Sequence, residues 1–523
     1  MMGSPLCDLE SELQAVKQVL GRSPEDRLEI VAVGAGAWGA VFACLLQRKY
    51  ASLGDQLRVR IWRRPGKRLT AKQASNLLNQ INSDQEVLQR LRDNGQLFRY
   101  VDASLGRELD PPLTAEEALQ DGFCDMLDGA HLLPMELCPD LQQAAMEADI
   151  LVNGVPSTST LAVWAPLADA LSKRSKAPPV IISLSKGVEF MSEPSPHMLT
   201  PTLLIHRCTG VPLDRMLYFG GPNIAREIWH GAYATARLCG VEKFGTPIAN
   251  LLRQPQMIVW HNRDVITHEV MGGLKNVYAI GAGVIDEACG HGATANSVYF
   301  SAACAEMSFI THVISRRPET LSGPLLADTY VTMLAGRNAW YGRQLASGAI
   351  KVCDGDTVPG KGVIQGVSAV RAFTMLLACA PVPLGDGKTG PAVELLPTLQ
   401  GLNKLLFHGG RVEEFVAGMW QEMQQDPAER LLSRATREGA AFIPTLLSPV
   451  AMDEADGAPR PIIKTALGIL KLPLPFLSDD KLASMGIDVE RMEHYRKSYL
   501  AFRTGDAAGA NGEFNVRSRP LAC

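Results

Sequence analysis

The stretch VAVGAGAWGAVFA, Val31 to Ala43, constrains the fold more than any other. The apolar run LEIVAV leads straight into glycines spaced G-x-G-x-x-G (Gly34, Gly36, Gly39), and an apolar run of helical character follows at once. A strand turning on glycines into a helix is the setting in which this spacing has a mechanism. Gly34 permits the tight turn, Gly36 lets backbone N–H groups approach a pyrophosphate at the helix N-terminus, and Gly39 lets helix and sheet pack closely. The stretch therefore predicts a dinucleotide site over residues 34–39, with a purely structural glycine turn as the bland alternative.

The alternation continues through LRVRIW, DILVNGV, PPVIISLS, MLYFGG, TARLCG and MIVW, with helical runs between them. Such alternation predicts an α/β fold, a parallel sheet with helices on both faces. After Asp264 strand signals fade, and long helical runs such as VITHEVMGGLKNVYAIGAGVIDEA and VSAVRAFTMLLACA take over. The expected organisation is a short helical leader (1–27), a Rossmann-type dinucleotide-binding domain (28–263), and a mainly α-helical substrate domain (264–445). Charged helical text near 66–147 reads as an insertion on the sheet. The Pro-, Gly- and Ala-rich text over 446–523 reads as a partly disordered extension. A chain of 523 residues, 46% of them hydrophobic, can build two or three such cores.

Fifty-one Lys and Arg against 55 Asp and Glu leave a net charge of -4, so no global field favours nucleic acid or an anionic membrane. Eleven scattered cysteines without a C-x-x-C pair argue for a reducing compartment, and no His/Cys cluster suggests a metal. The most apolar runs are interrupted by Lys186, Lys275 or Glu306, which argues against a membrane span. The acidic start (Asp8, Glu10, Glu12) is unlike a transit peptide, so cytosol is expected ahead of plastid.

Two features bear on chemistry. The second strand ends in Arg63 and Arg64, where a dinucleotide site often has an acidic residue for the ribose. An arginine there can pair with a 2′-phosphate, so the residues leave NAD and NADP both open. Lys275 is the single charge in the apolar stretch MGGLKNVYAIGAGV; buried, it would be pulled toward neutrality by desolvation and suited to donate a proton to a ketone oxygen. Its simpler reading is a lysine whose stem packs while its head reaches water. The company decides: Lys186 follows an apolar strand at the ligand-binding edge of the sheet, and LADTYVTMLAGRNAWYG offers Asp328, Thr332, Arg337 and Asn338, a set suited to orienting a lysine and gripping a phosphate.

These stretches, with VGAGAWG, SLSKGVE, GGPNIAREI, GGLKNVYAIGAG and GVIQG in order from about residue 29 to 445, resemble the NAD-dependent glycerol-3-phosphate dehydrogenases, plant and algal cytosolic forms in particular. The resemblance implies interconversion of dihydroxyacetone phosphate and sn-glycerol 3-phosphate, with NAD as cofactor and a homodimer as assembly. It implies that Lys275 is catalytic, with Lys186 a second substrate-contacting lysine and Asp328 positioning the catalytic lysine. Asn276, Thr332, Arg337 and Asn338 would contact substrate. Gly34, Ala35, Gly36, Ala37, Trp38, Gly39, Arg64, Lys186, Ala225, Arg337 and Gln365 would line the cofactor. Val363 stands where some relatives have a lysine near the cofactor. Two other readings stay open on the residues: a hydroxyacid or ketopantoate-type NADP-dependent reductase, which grips a carboxylate and lacks the ADTYVTMLAGRN block, and a non-catalytic NADH-binding regulatory protein.

Overall fold

A computed structural model describes residues 5–34, 36–62, 136–138, 140–191, 196–229, 231–315, 324–352, 356–358, 362–385 and 388–424. Short pieces at 101–102, 107–108, 431, 446, 450–452 and 459–461 are described as well. Most of the expected 66–147 insertion, nearly all of the 446–523 extension and both Arg63 and Arg64 lie outside the described residues.

Eight strands form the central sheet: β1 (Leu28–Val33), β2 (Leu57–Trp62), β3 (Glu136–Cys138), β4 (Ile150–Asn153), β5 (Val180–Ser183), β6 (Met216–Gly220), β7 (Ala234–Cys239) and β8 (Met257–Asn262), in the order β8-β7-β6-β5-β4-β1-β2-β3. β1 lies parallel between β2 and β4, with Ala32 opposite both Ile61 and Val152. The expectation of a parallel sheet fails at one seam, because β7 runs antiparallel to β6, with Gly220 opposite Arg237. A six-residue apolar strand reads the same in either direction; orientation is set by the connection, which side-chain alternation does not encode.

Alternate residues of the buried strands feed two cores. Ile30, Ala32, Ile150, Val152, Leu217 and Phe219 pack beneath helices α1 (Pro5–Leu20) and α2 (Ala37–Lys49). Val31, Val33, Leu151, Ile181 and Met216 face the other way, into a core continuous with the helical region. On that side lies α3 (Pro201–Thr209).

The helical region is built around α4 (Val265–Ala288), started by the Asp264 carboxylate, which accepts from the Thr267 amide at 3.0 Å. Every residue from Thr267 to Ile285 is buried. Around it pack α5 (Ala293–Ile314), α6 (Pro324–Ala335), α7 (Arg337–Ala346), α8 (Gln365–Ala378), α9 (Pro397–Phe407) and α10 (Val412–Glu422). A Cβ at Gly283 would run into the Ala339 carbonyl, and one at Gly342 into the Ile280 carbonyl, so α4 and α7 cross backbone to backbone. By length and composition α5 is apolar enough to cross a membrane. It is a core helix here: its buried Glu306 accepts from Tyr278 Oη (2.8 Å) and from the Thr398 and Leu399 amides (2.8 and 3.2 Å), capping α9. A second buried carboxylate, Glu269 on α4, accepts from the amide (2.9 Å) and hydroxyl (2.6 Å) of Thr202, tying the helical region to the first turn of α3.

Candidate active site

The glycine turn joins β1 to α2. Gly34 sits at φ 108°, a conformation side chains rarely adopt, and a Cβ there would lie 2.8 Å from Val155 Cγ1. A Cβ at Gly39 would lie 2.6 Å from the Gly34 carbonyl oxygen, so only glycine lets the helix come this close. Gly36 is the N-cap of α2 and brings no side chain to its first-turn amides, which suits an anionic group at that helix end. Trp38 stacks on Phe219 (6.1 Å between ring centroids, 28° between planes). Ala35 and Arg64 are outside the described residues, and of Ala37 only the backbone is described.

Ala225 opens a short helix (Ala225–Trp229) after β6, and Gln365 opens α8. Two residues before Ala225, both side-chain polar atoms of Asn223 are buried without a partner. A buried amide with nothing to bond is costly, so this position fits a polar ligand such as the dinucleotide. Sequence reasoning quoted the GGPNIAREI stretch but did not single out Asn223; its place between the strand-end glycines and the helix start was the available signal.

The second half of the site lies where the sheet meets α4 and α6. Lys275, on α4, is 3% exposed, and its ammonium is hydrogen-bonded to Asp328 Oδ1. Lys186, three residues beyond β5, reaches the same carboxylate at 3.1 Å (Oδ2) and 3.4 Å (Oδ1), and donates to the Gly221 carbonyl at 3.4 Å. One carboxylate thus holds two ammonium groups that come from different layers of the molecule. Burial pushes the Lys275 ammonium down to about 7; the Asp328 carboxylate opposes that fall and the Lys186 charge adds to it.

Beside this cluster, Asn338 Nδ2 donates to Asn276 Oδ1 at 2.9 Å, while Asn338 Oδ1 accepts from the Gly366 amide at 2.9 Å. Asn276 Nδ2 donates to the Gly272 carbonyl one turn back (3.2 Å). This chain links α4, α7 and α8 next to Lys275. Thr332 lies one turn after Asp328 and its hydroxyl donates to the Asp328 carbonyl at 2.6 Å, which leaves its lone pairs, not its proton, for a ligand. Arg337 begins α7 after the break at Gly336 and is exposed; its Nη1 lies 3.5 Å from where a Gly362 Cβ would sit. The structure therefore brings Lys186, Lys275, Asn276, Asp328, Thr332 and Asn338 together, with Arg337 adjoining Asn338 at the surface. Among the described residues no group of three or more His, Cys, Asp or Glu could hold a metal ion.

Two ammonium groups, a carboxylate and a guanidinium, with a glycine turn opening a helix at the same carboxyl edge of the sheet as Lys186, suit proton donation to a carbonyl on an anionic substrate. Comparison with known proteins agrees. Residues 264–417 match the NAD-dependent glycerol-3-phosphate dehydrogenase C-terminus, and residues 127–243, which start beyond the glycine turn, match the N-terminus of the same family. The chain is 47% identical over 444 residues to a cytosolic NAD(+) glycerol-3-phosphate dehydrogenase of Arabidopsis thaliana, covering 84% of this chain and 95% of that one. It is 46% identical over 428 residues to a probable cytosolic counterpart from Oryza sativa, covering 81% and 91%. A solved glycerol-3-phosphate dehydrogenase of Plasmodium falciparum shares the fold at a TM-score of 0.56 and 17% identity, covering 78% of this chain and 97% of that one. The chain belongs to the NAD-dependent glycerol-3-phosphate dehydrogenase family.

Proposed function

We propose that the chain interconverts dihydroxyacetone phosphate and sn-glycerol 3-phosphate, with NAD(H) as its dinucleotide. The observation that carries the residue assignment is the buried Lys275 and half-buried Lys186 sharing Asp328 beside the Asn276–Asn338–Gly366 chain. The dinucleotide, when bound, supplies or accepts the hydride.

In the direction of reduction, Lys275 holds a proton at the ketone oxygen and gives it up as negative charge grows there. Lys186 adds a second positive charge at the same oxygen, and both act more strongly on the developing alkoxide than on the neutral ketone. Asp328 keeps the donor charged and aimed. Arg337 and Asn338 grip the phosphate, Thr332 joining them by turning its hydroxyl proton away from the Asp328 carbonyl, and Asn276 braces Asn338 while lining the substrate side. Gly34, Ala35, Gly36, Ala37, Trp38 and Gly39 take the dinucleotide at the start of α2, with Ala225, Gln365, Lys186, Arg337 and Arg64 along its length. The relatives named cytosolic support placement in the cytosol, and we take the assembly to be a homodimer.

The test is spectrophotometric: oxidation of NADH against NADPH on addition of dihydroxyacetone phosphate, for the wild type and Lys275→Ala. NADH is expected to be the better reductant. Losing one donor to the reacting oxygen removes about 3 kcal/mol of barrier lowering, a fall in turnover of roughly a hundredfold or more. Near-normal turnover in the variant would refute the role of Lys275.

A further inference from the structure

Tyr218, on β6, is 1% exposed, and no hydrogen bond among the described residues engages its hydroxyl. Its oxygen, which phenylalanine would lack, is the atom that comes closest to the neighbouring helical turn. The phenol lies in a slot made by two glycines. At Gly220 a Cβ would lie 2.7 Å from Tyr218 Cε1 and 3.0 Å from the hydroxyl oxygen. At Gly272 it would lie 2.6 Å from that oxygen, 3.6 Å from Tyr218 Cζ and 3.7 Å from the Cβ of Lys186. Gly272 is three residues before Lys275 on α4, and its carbonyl accepts from Asn276. Gly221, next to the other glycine of the slot, accepts from the Lys186 ammonium. The phenol is thus wedged between the strand end that holds Lys186 and the helical turn that carries Lys275.

We propose that Tyr218 is a positioning residue, a spacer whose hydroxyl, seated on Gly272, sets the separation of the two lysines that share Asp328. Its role here runs through the helical turn beneath it, not through contact with the reacting groups. The inference rests on the reading of Lys275 as proton donor, and it makes a demand of its own: volume added at Gly272 must be offset by volume removed from Tyr218. A methyl at Gly272 collides with the phenolic oxygen, but once that oxygen is gone the nearest ring carbon is 3.6 Å away, ordinary contact.

The experiment compares the wild type, Y218F, G272A and the double variant, reading kcat, the Michaelis constant for NADH, and the pH at which ketone reduction falls off. G272A is expected to lower kcat at least tenfold and displace the pH midpoint, with the NADH constant within twofold. The double variant is expected to return kcat and midpoint to within about threefold and a few tenths of a pH unit of the wild type, as a methyl replaces the lost oxygen. G272A with unchanged kcat and midpoint, or a double variant no better than G272A, overturns the proposal. If G272A alone does not fold, the double variant decides by itself: wild-type kcat and midpoint support the spacer, and a folded but slow protein rejects it. Lys275→Ala in the same assay separates the two readings, since retained turnover there removes the proton-donor role, whereas a dead Lys275→Ala beside a normal G272A removes only the spacer.

Discussion

Replacing Asp328 by asparagine takes away the negative charge that the buried Lys275 and half-buried Lys186 ammonium groups share while leaving a side chain of the same shape. In the wild type the carboxylate holds the Lys275 ammonium up against burial and against Lys186, with the result at about 7. Removing an opposite charge at hydrogen-bond distance shifts a pKa by about 1 to 3 units, and one unit is about 1.4 kcal/mol. A two-unit fall would take Lys275 to about 5, so at pH 7 its protonated share drops from about one half to about one hundredth. Ketone reduction needs the protonated form. The variant should therefore reduce dihydroxyacetone phosphate roughly fiftyfold more slowly at pH 7 and recover much of that loss near pH 5. The assay is NADH oxidation at saturating substrate from pH 5 to 9, with thermal melting at each pH to confirm a folded protein. A folded variant whose rate falls off at the same pH as the wild type would show that the carboxylate does not control the proton on Lys275.

Arg337→Ala should raise the Michaelis constant for the phosphorylated ketone tenfold or more, the loss of a charge-assisted contact of about 1.5–3 kcal/mol, and change turnover less; an unchanged constant rules out a phosphate role. Gly39→Val should abolish NADH binding, read by fluorescence titration, because even a Cβ meets the Gly34 carbonyl at 2.6 Å; tight binding by the variant would reject the turn as the dinucleotide site. Burial pushes the Glu269 carboxyl from 4.5 up to about 7 against its Thr202 hydrogen bonds. The folded chain then holds that proton more tightly than the unfolded chain, so this contribution is fully present below about pH 4.5 and is lost as pH rises through about 7, by ~3 kcal/mol at most. Glu269→Gln should flatten that slope in urea midpoints taken at pH 5 and pH 8, and an equal slope in both proteins would contradict it.

What the sequence made legible was local. The helical text VITHEVMGGLKNVYAIGAGVIDEA has the bounds of α4, because a caps-to-caps apolar run of that length admits little else. The glycine spacing pointed to the β1–α2 turn, since backbone geometry there excludes side chains. Lys275, Lys186 and Asp328 could be nominated singly or by resemblance. That one carboxylate would take both ammonium groups could not be read, because Asp328 is 142 residues from one and 53 from the other and no periodicity records such a meeting. The Asn338–Gly366 bond and the slot around Tyr218 were hidden for the same reason: each depends on how two glycine-thinned backbones approach, which is a property of packing and not of spacing. The reversed strand β7 was missed because its burial pattern is indifferent to polarity.

The crossing of α4 and α7 at Gly283 and Gly342 also limits how this enzyme can move. With carbonyls of one helix lodged where the other would carry methyl groups, the two cannot slide or hinge against each other without losing that fit, and they travel as a single strut. Arg337 at the head of one and Lys275 midway along the other, the anion contact and proton donor proposed above, therefore sit on one stiff pair of helices. Asp328, bonded both to Lys275 on that pair and to Lys186 beyond the strand end, is where the stiff pair and the sheet edge are tied together.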